Sequence, residues 1–160
     1  NGIGEELAKS GIELIPATTF LDDLLPDLGH VCGPKPAKRV IEDAAFGFKI
    51  AKEVSRLDIG QTVVVKKGTV LAVEGFEGTN KAIQRGGELG RGDAVVVKVS
   101  KPNQDLRFDV PCIGPDTIET AASSSVSAII VEANKTLLLG KNEIEISAER
   151  NGVTVYAYKE

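Results

Sequence analysis

The sequence is poor in residues that carry several common kinds of chemistry. It has no methionine, no tryptophan, one histidine (His30) and two cysteines, Cys32 and Cys112, which form no C-x-x-C pair. This set does not favour a structural zinc site and is typical of free thiols in a reducing compartment. No apolar run approaches the roughly 18 residues of a membrane-spanning helix, and no signal peptide is evident. We therefore expect a cytoplasmic protein, with at most peripheral contact at the inner face of a membrane.

The overall balance of residues is that of one globular domain. Hydrophobic residues make up 42% of the 160 residues and charged residues 26%, a proportion that favours a single packed core. The net charge of -4 argues against a nucleic-acid binder, which needs a basic surface. The chain begins at Asn1, and residues 3–10 already read as a helix ending at Gly11, so we expect a missing N-terminal portion.

Helical and strand patterns alternate along the chain. Helices are predicted over 3–10, 18–25, 37–56, 79–89, 116–125 and 142–150. Strands are predicted over 12–15, 62–65, 70–73, 93–99, 128–131, 136–139 and 153–158, and residues 26–36 are predicted to be a loop. This order predicts an α/β fold in a single domain, with a mixed β-sheet packed by helices.

The segment from Lys98 to Pro111 concentrates charge. It follows the β-branched run 93–99 directly, and ligands of open α/β sheets bind at the carboxyl ends of strands. Lysine and arginine side chains can hold a diphosphate, and an aspartate can hold a divalent cation or accept a proton from water. A solvated surface loop whose charges pair with one another is the alternative, and the residues alone leave both open.

Three other stretches give weaker indications. Residues 74–79 place two glutamates before a predicted helix whose N-terminus could hold phosphate, although Thr79 would serve equally as an ordinary N-cap. Residues 57–61 read as a polar turn, which turn chemistry explains equally well. The glycine-rich run 86–92 lacks P-loop spacing and reads as a flexible loop.

Nucleophilic catalysis has little support in the sequence. No G-x-S-x-G motif occurs, and no histidine partner for Cys112 is evident. Attack by water, assisted by a metal or a carboxylate, is the chemistry that the residues favour.

Several of these stretches together resemble a known family. The sequence elements are AFGFKIA at 45–51, LDIGQ at 57–61, AVE at 72–74, EGT at 77–79 and the run from Lys101 through Asp109 to Gly114. In order and spacing they resemble the C-terminal catalytic domain of LpxI-type UDP-2,3-diacylglucosamine pyrophosphatases. The resemblance extends from Gly2 to Tyr158.

The resemblance implies an Mg2+-dependent hydrolase of lipid A biosynthesis, which converts UDP-2,3-diacylglucosamine to UMP and 2,3-diacylglucosamine 1-phosphate (lipid X). Asp109 matches the aspartate of the R-x-D-x-P element and would be the catalytic carboxylate. The residues implied in substrate binding are Gln61, Thr79, Lys98, Lys101, Gln104 and Arg107. Those implied as ligands of Mg2+ or water are Glu74, Glu77 and Asp105.

The same resemblance implies partners beyond the substrate. Family members carry a further N-terminal, Rossmann-like domain, and the substrate lies between the two domains. Residues 1–160 contain no such segment, so we expect half of the site to be absent, and a homodimer is a further possibility. The alternatives from other classes are a non-catalytic module that binds a nucleotide sugar or lipid, and a structural domain.

Overall fold

A six-stranded mixed sheet forms the centre of the structure, a computed structural model that describes residues 2–102 and 104–160. Its helices are α1 Gly2–Lys9, α2 Lys38–Arg56, α3 Thr79–Gly90, α4 Pro115–Ser123 and α5 Lys141–Asn151. Its strands are β1 Gly29–Cys32, β2 Thr62–Lys66, β3 Thr69–Val73, β4 Ala94–Lys98, β5 Cys112–Ile113, β6 Val126–Glu132, β7 Leu137–Leu138 and β8 Thr154–Tyr158.

The main sheet has the strand order β1-β8-β6-β4-β2-β3. Strands β4, β6 and β8 run parallel, whereas β1, β2 and β3 each pair antiparallel with a neighbour. The short strands β5 and β7 pair in a separate two-stranded sheet. The prediction of a single α/β domain with a mixed sheet is confirmed.

Helices cover both faces of this sheet. Helix α2 packs alone on one face, where Phe48 contacts an apolar cluster that includes Val95 and Val97. Helices α3, α4 and α5 pack on the other face around Val96 and Ile129. Successive side chains of β4 therefore enter opposite clusters, which explains why this strand is apolar at nearly every position.

Three predictions near the N-terminus differ from the structure. Residues 12–15 form no strand; Ile12 and Ile15 are exposed, so the run lacks the buried face that holds a strand in a sheet. The predicted loop 26–36 contains β1, which pairs with β8. The helix expected over 18–25 is reduced to a 3-10 helix, Asp22–Leu24.

The glycine-rich run is also not the flexible loop that was expected, because its first five residues belong to α3. A Cβ added at Gly86 would lie 2.4 Å from the Val64 Cβ, and one at Gly87 would lie 2.1 Å from the Ser124 carbonyl oxygen. The glycines allow close contact of α3 with β2 and with the end of α4.

In the described part of the chain, no helix combines the length and the apolar character needed to cross a bilayer.

Candidate functional site at the carboxyl edge of the sheet

Strand direction brings several polar residues to one edge. Because β4, β6 and β8 are parallel, they all end there. The first residue of β2, Thr62, pairs with Lys98 at the end of β4. Strand β3 ends at the same edge, where Val73 pairs with Val63. Residues distant in sequence, from 58 to 132, thus meet at this carboxyl edge.

A chain of hydrogen bonds lies at the ends of β3 and β4; we call it the buried chain because two of its side chains, Glu74 and Lys98, are buried. Lys98 is 9% exposed, and its Nζ donates to the Thr79 Oγ1 at 3.1 Å. The Thr79 hydroxyl in turn donates to the Glu74 Oε1 at 2.8 Å, and the Gln61 backbone N–H lies 3.4 Å from the Glu74 Oε2. The structure therefore joins four residues that the sequence singled out.

This buried chain has unused hydrogen-bonding capacity. An ammonium has three N–H donors, and within residues 2–102 and 104–160 the only partner found for the Lys98 Nζ is the Thr79 hydroxyl. The buried Gln61 Oε1 has no hydrogen-bond partner among the residues described. A buried cation with so few partners favours an anionic ligand beside it.

Thr79 does not act as an N-cap. The cap position of α3 is Gly78, which has a φ of 84°, and Thr79 is the first helical residue. The N-terminus of α3, with its free backbone N–H groups, therefore lies beside the Lys98 Nζ. Helix N-termini of this kind stabilise phosphate groups.

A second group lies on the segment that follows β4. The Gln104 Nε2 donates to the Asp109 Oδ2 at 2.6 Å, and the Lys101 backbone N–H donates to the Gln104 Oε1 at 2.9 Å. The Lys101 ammonium pairs with Asp58, which raises the pKa of Lys101 and lowers that of Asp58. Asp109 is exposed, and its carboxylate accepts this one side-chain bond from Gln104.

Two other predicted residues are paired locally. Arg107 binds Asp105 through two side-chain bonds, Nε to Oδ1 at 2.8 Å and Nη2 to Oδ2 at 2.7 Å. Those bonds lower the pKa of Asp105 to about 2. Arg107 and Asp105 therefore behave as the sequence alternative described: a surface segment whose charges pair with one another.

Comparison with known proteins shows the family to which the chain belongs. A model of the LpxI C-terminal domain matches residues 27–156, which include the buried chain and the whole polar segment. The chain belongs to the LpxI family. A relative from Caulobacter vibrioides, UDP-2,3-diacylglucosamine pyrophosphatase LpxI, is 33% identical over 159 residues, which cover 94% of this chain and 57% of the relative. The chain thus spans little more than half the length of that LpxI protein.

The predicted Mg2+ ligands of this LpxI-family chain each have a partner among the described residues. Glu74 is bonded to Thr79, Glu77 to Arg85 at 2.6 Å, and Asp105 to Arg107. The bond from Arg85 also lowers the pKa of Glu77. Across the described ranges, no group of three or more His, Cys, Asp or Glu residues could hold a metal ion.

Sequence reasoning missed a buried carboxylate at the same edge. Glu132 ends β6, and its side chain is 5% exposed. It accepts bonds from the Lys52 and Lys135 ammonium groups at 2.6 and 2.9 Å, and from Ser100. The available signal was a charged residue directly after the apolar run 128–131. This residue can be assigned to the site only once β6 is known to lie beside β4.

Proposed function

We propose that the protein containing this chain hydrolyses the diphosphate of UDP-2,3-diacylglucosamine. The products are UMP and 2,3-diacylglucosamine 1-phosphate, and the reaction belongs to lipid A biosynthesis. Family membership and the name of the Caulobacter relative support the substrate. The observation that carries the proposal in this structure is the buried Lys98 ammonium, whose hydrogen-bonding capacity is largely unused, at the carboxyl edge.

In this proposal the two groups at the edge have different roles. Lys98, Thr79 and the N-terminus of α3 hold phosphate oxygens, and Lys101 offsets negative charge that builds up in the transition state. Asp109 holds the attacking water and accepts its proton. Gln104 keeps one carboxylate oxygen of Asp109 engaged, so that the other faces the water. Arg107 contributes only if it exchanges Asp105 for a phosphate.

The proposal includes Mg2+, which would enter the site bound to the diphosphate of the substrate. Mg2+ is commonly held by one or two carboxylates together with substrate phosphates, so a cage of side chains is not needed. Glu74, which accepts from the Thr79 hydroxyl beside Lys98, is the predicted ligand that would hold the ion together with the phosphates. When bound, the ion would neutralise phosphate charge. We expect removal of divalent ions with EDTA to abolish UMP release and added Mg2+ to restore it.

The site proposed here is completed by the rest of the protein. The chain covers 57% of the Caulobacter relative. A further N-terminal domain would close over the carboxyl edge and contact the nucleotide or the acyl chains. We place the reaction in the cytoplasm, with peripheral contact at the membrane that contains the diacyl substrate.

The test uses the full-length protein and measures UMP released from UDP-2,3-diacylglucosamine. Lys98→Met keeps the length of a buried side chain and removes its charge. Lys38→Met makes the same change at the exposed start of α2, at the opposite edge of the sheet. We expect Lys98→Met to lose about 100-fold or more in kcat/KM and Lys38→Met to match the wild type. Tight substrate binding by the wild type without UMP release would favour the non-catalytic binding module instead.

A further inference from the structure

Ser100 lies where the polar segment leaves β4, and side chains form hydrogen bonds to both its backbone N–H and its carbonyl oxygen. Its N–H donates to the Glu132 Oε2 at 2.9 Å, and its hydroxyl donates to the same oxygen at 2.8 Å. The Lys52 ammonium donates to the Ser100 carbonyl oxygen at 3.0 Å and to the Glu132 Oε2 at 2.6 Å. We call Lys52, Ser100 and Glu132 the Ser100 clamp.

The clamp joins three elements that are distant in sequence: α2, the end of β4 and the end of β6. Both backbone polar groups of Ser100 are bonded within it, so the direction in which the chain leaves β4 is fixed. Lys98 lies two residues before Ser100, and Lys101 follows it. The clamp therefore sets the relative placement of the lysine behind it and of the Lys101–Gln104–Asp109 group in front of it.

A carboxylate so deeply buried needs partners to remain charged. Glu132 has two ammonium groups and two donors from Ser100, which offset the cost of removing it from water. Lys52 also lies 5.5 Å above the Phe48 ring, which is itself buried. Packing against Phe48 within α2 thus supports the Lys52 side chain in addition to its hydrogen bonds.

We propose that Glu132 is a positioning residue for the proposed hydrolysis, acting through Ser100 to place the segment that carries Lys101, Gln104 and Asp109. In this role Glu132 would act through Ser100 rather than by contact with the substrate. The proposal rests on the proposed function only for its catalytic consequence, because the placement of the segment can be measured without turnover.

The first measurement is hydrogen–deuterium exchange on the full-length protein. Glu132→Gln keeps an oxygen that accepts from Ser100 but loses the charge that holds Lys52, and Glu132→Ala loses both. Glu119→Gln is the matched control, since Glu119 forms an exposed pair with Arg150 on the α4–α5 surface. We expect amide exchange over residues 100–109 to be fastest in Glu132→Ala, slower in Glu132→Gln and slowest in the wild type. The control Glu119→Gln should exchange at the wild-type rate. Equal exchange in all four proteins overturns the proposal, whatever the activity.

The second measurement is kcat and KM for UMP release, normalised to the folded fraction at the assay temperature. A misplaced carboxylate slows the chemical step more than it weakens binding, so we expect kcat to fall by roughly 10- to 100-fold in Glu132→Gln with a smaller change in KM. A loss of stability alone would leave kcat per folded molecule at the wild-type value, and that result overturns the catalytic role. If the wild type releases no UMP, the proposed function fails. The exchange result alone then decides whether Glu132 positions residues 100–109.

Discussion

Glu132 shows how the partners of one buried side chain decide its charge. Burial raises its pKa, but bonds from Lys52, Lys135 and Ser100 outweigh burial, and the net pKa lies below the ordinary glutamate value. Glu132 therefore binds a proton more readily in the unfolded chain than in the folded one. Its contribution to stability is fully present above the unfolded pKa of about 4.3 and is lost as pH falls through the lower folded pKa.

We expect an NMR titration of the Glu132 carboxyl carbon to give a midpoint below about 4.3. The same linkage predicts that the free energy of unfolding, measured in urea, decreases as pH falls through this range, and that Glu132→Gln removes part of the decrease. A midpoint at or above the ordinary value would show that the lysines and Ser100 do not stabilise the carboxylate.

The two cysteines differ in their surroundings and should differ in reactivity. Burial, with smaller effects of Glu145 and Glu149, raises the pKa of Cys32 to about 11, whereas Cys112 is exposed. Because the thiolate is the reactive form, iodoacetamide at about pH 8 should modify Cys112 in the folded protein and Cys32 only after unfolding. Peptide mass spectrometry over time checks this; equal rates at both thiols would contradict the packing of β1 against the core.

At the scale of elements, α3 packs closely against its neighbours through Gly86 and Gly87. In the sequence these glycines belong to a run that we expected to be a flexible loop. A Cβ at Gly87 would lie 2.1 Å from a backbone oxygen, which cannot swing away as a side chain would. We expect Gly87→Ala to destabilise the fold by about 1–3 kcal/mol in urea unfolding, although alanine is the better helix former by about 1 kcal/mol. Gly2→Ala in α1, where nothing lies within 4 Å, is the control. Equal stability of the two variants would show that α3 lies farther from α4.

The elements with strong periodicity were predictable from the sequence, and those that depend on partners were not. Helix α2 has apolar residues at helical spacing, and α4 begins at Pro115, a residue suited to the first helical turn, so both were predicted. Strand β1 was missed because it lies among prolines and glycines and is stabilised by pairing with β8. The run 12–15 looked like a strand but finds no partner, and isolated propensity did not decide its conformation.

At the scale of the whole molecule, residues 2–20 include no buried residue. Helix α1 has no buried residues, and a bond from the Ala17 N–H to the Leu106 carbonyl oxygen, at 2.8 Å, joins this region to the polar segment. We expect a chain beginning at Leu21 to keep the melting temperature of the 160-residue chain within about 2 °C, because surface contacts of this kind contribute little. Differential scanning calorimetry on the two chains tests this, and a decrease of 5 °C or more would show that α1 packs on the core.

The candidate site was predictable in composition but not in arrangement. A charge-dense segment after a buried strand is visible in the sequence, and the family resemblance singled out Lys98, Lys101 and Asp109 within it. The strand order was not visible, and it decides that Glu132 lies beside Ser100 and that Thr79 contacts Lys98. Each predicted metal ligand also has a partner in the fold: Thr79 for Glu74, Arg85 for Glu77 and Arg107 for Asp105.

The most direct test of the central claim, that the carboxyl edge carries the hydrolysis, is the rate of UMP release by full-length Asp109→Asn. Asp93→Asn makes the same change before the start of β4, at the opposite edge, where Asp93 pairs with Arg39. Loss of a residue that accepts the proton of water should cost about 100- to 10,000-fold in kcat, with the Asp93 variant at the wild-type rate. Wild-type turnover by folded Asp109→Asn would contradict the account.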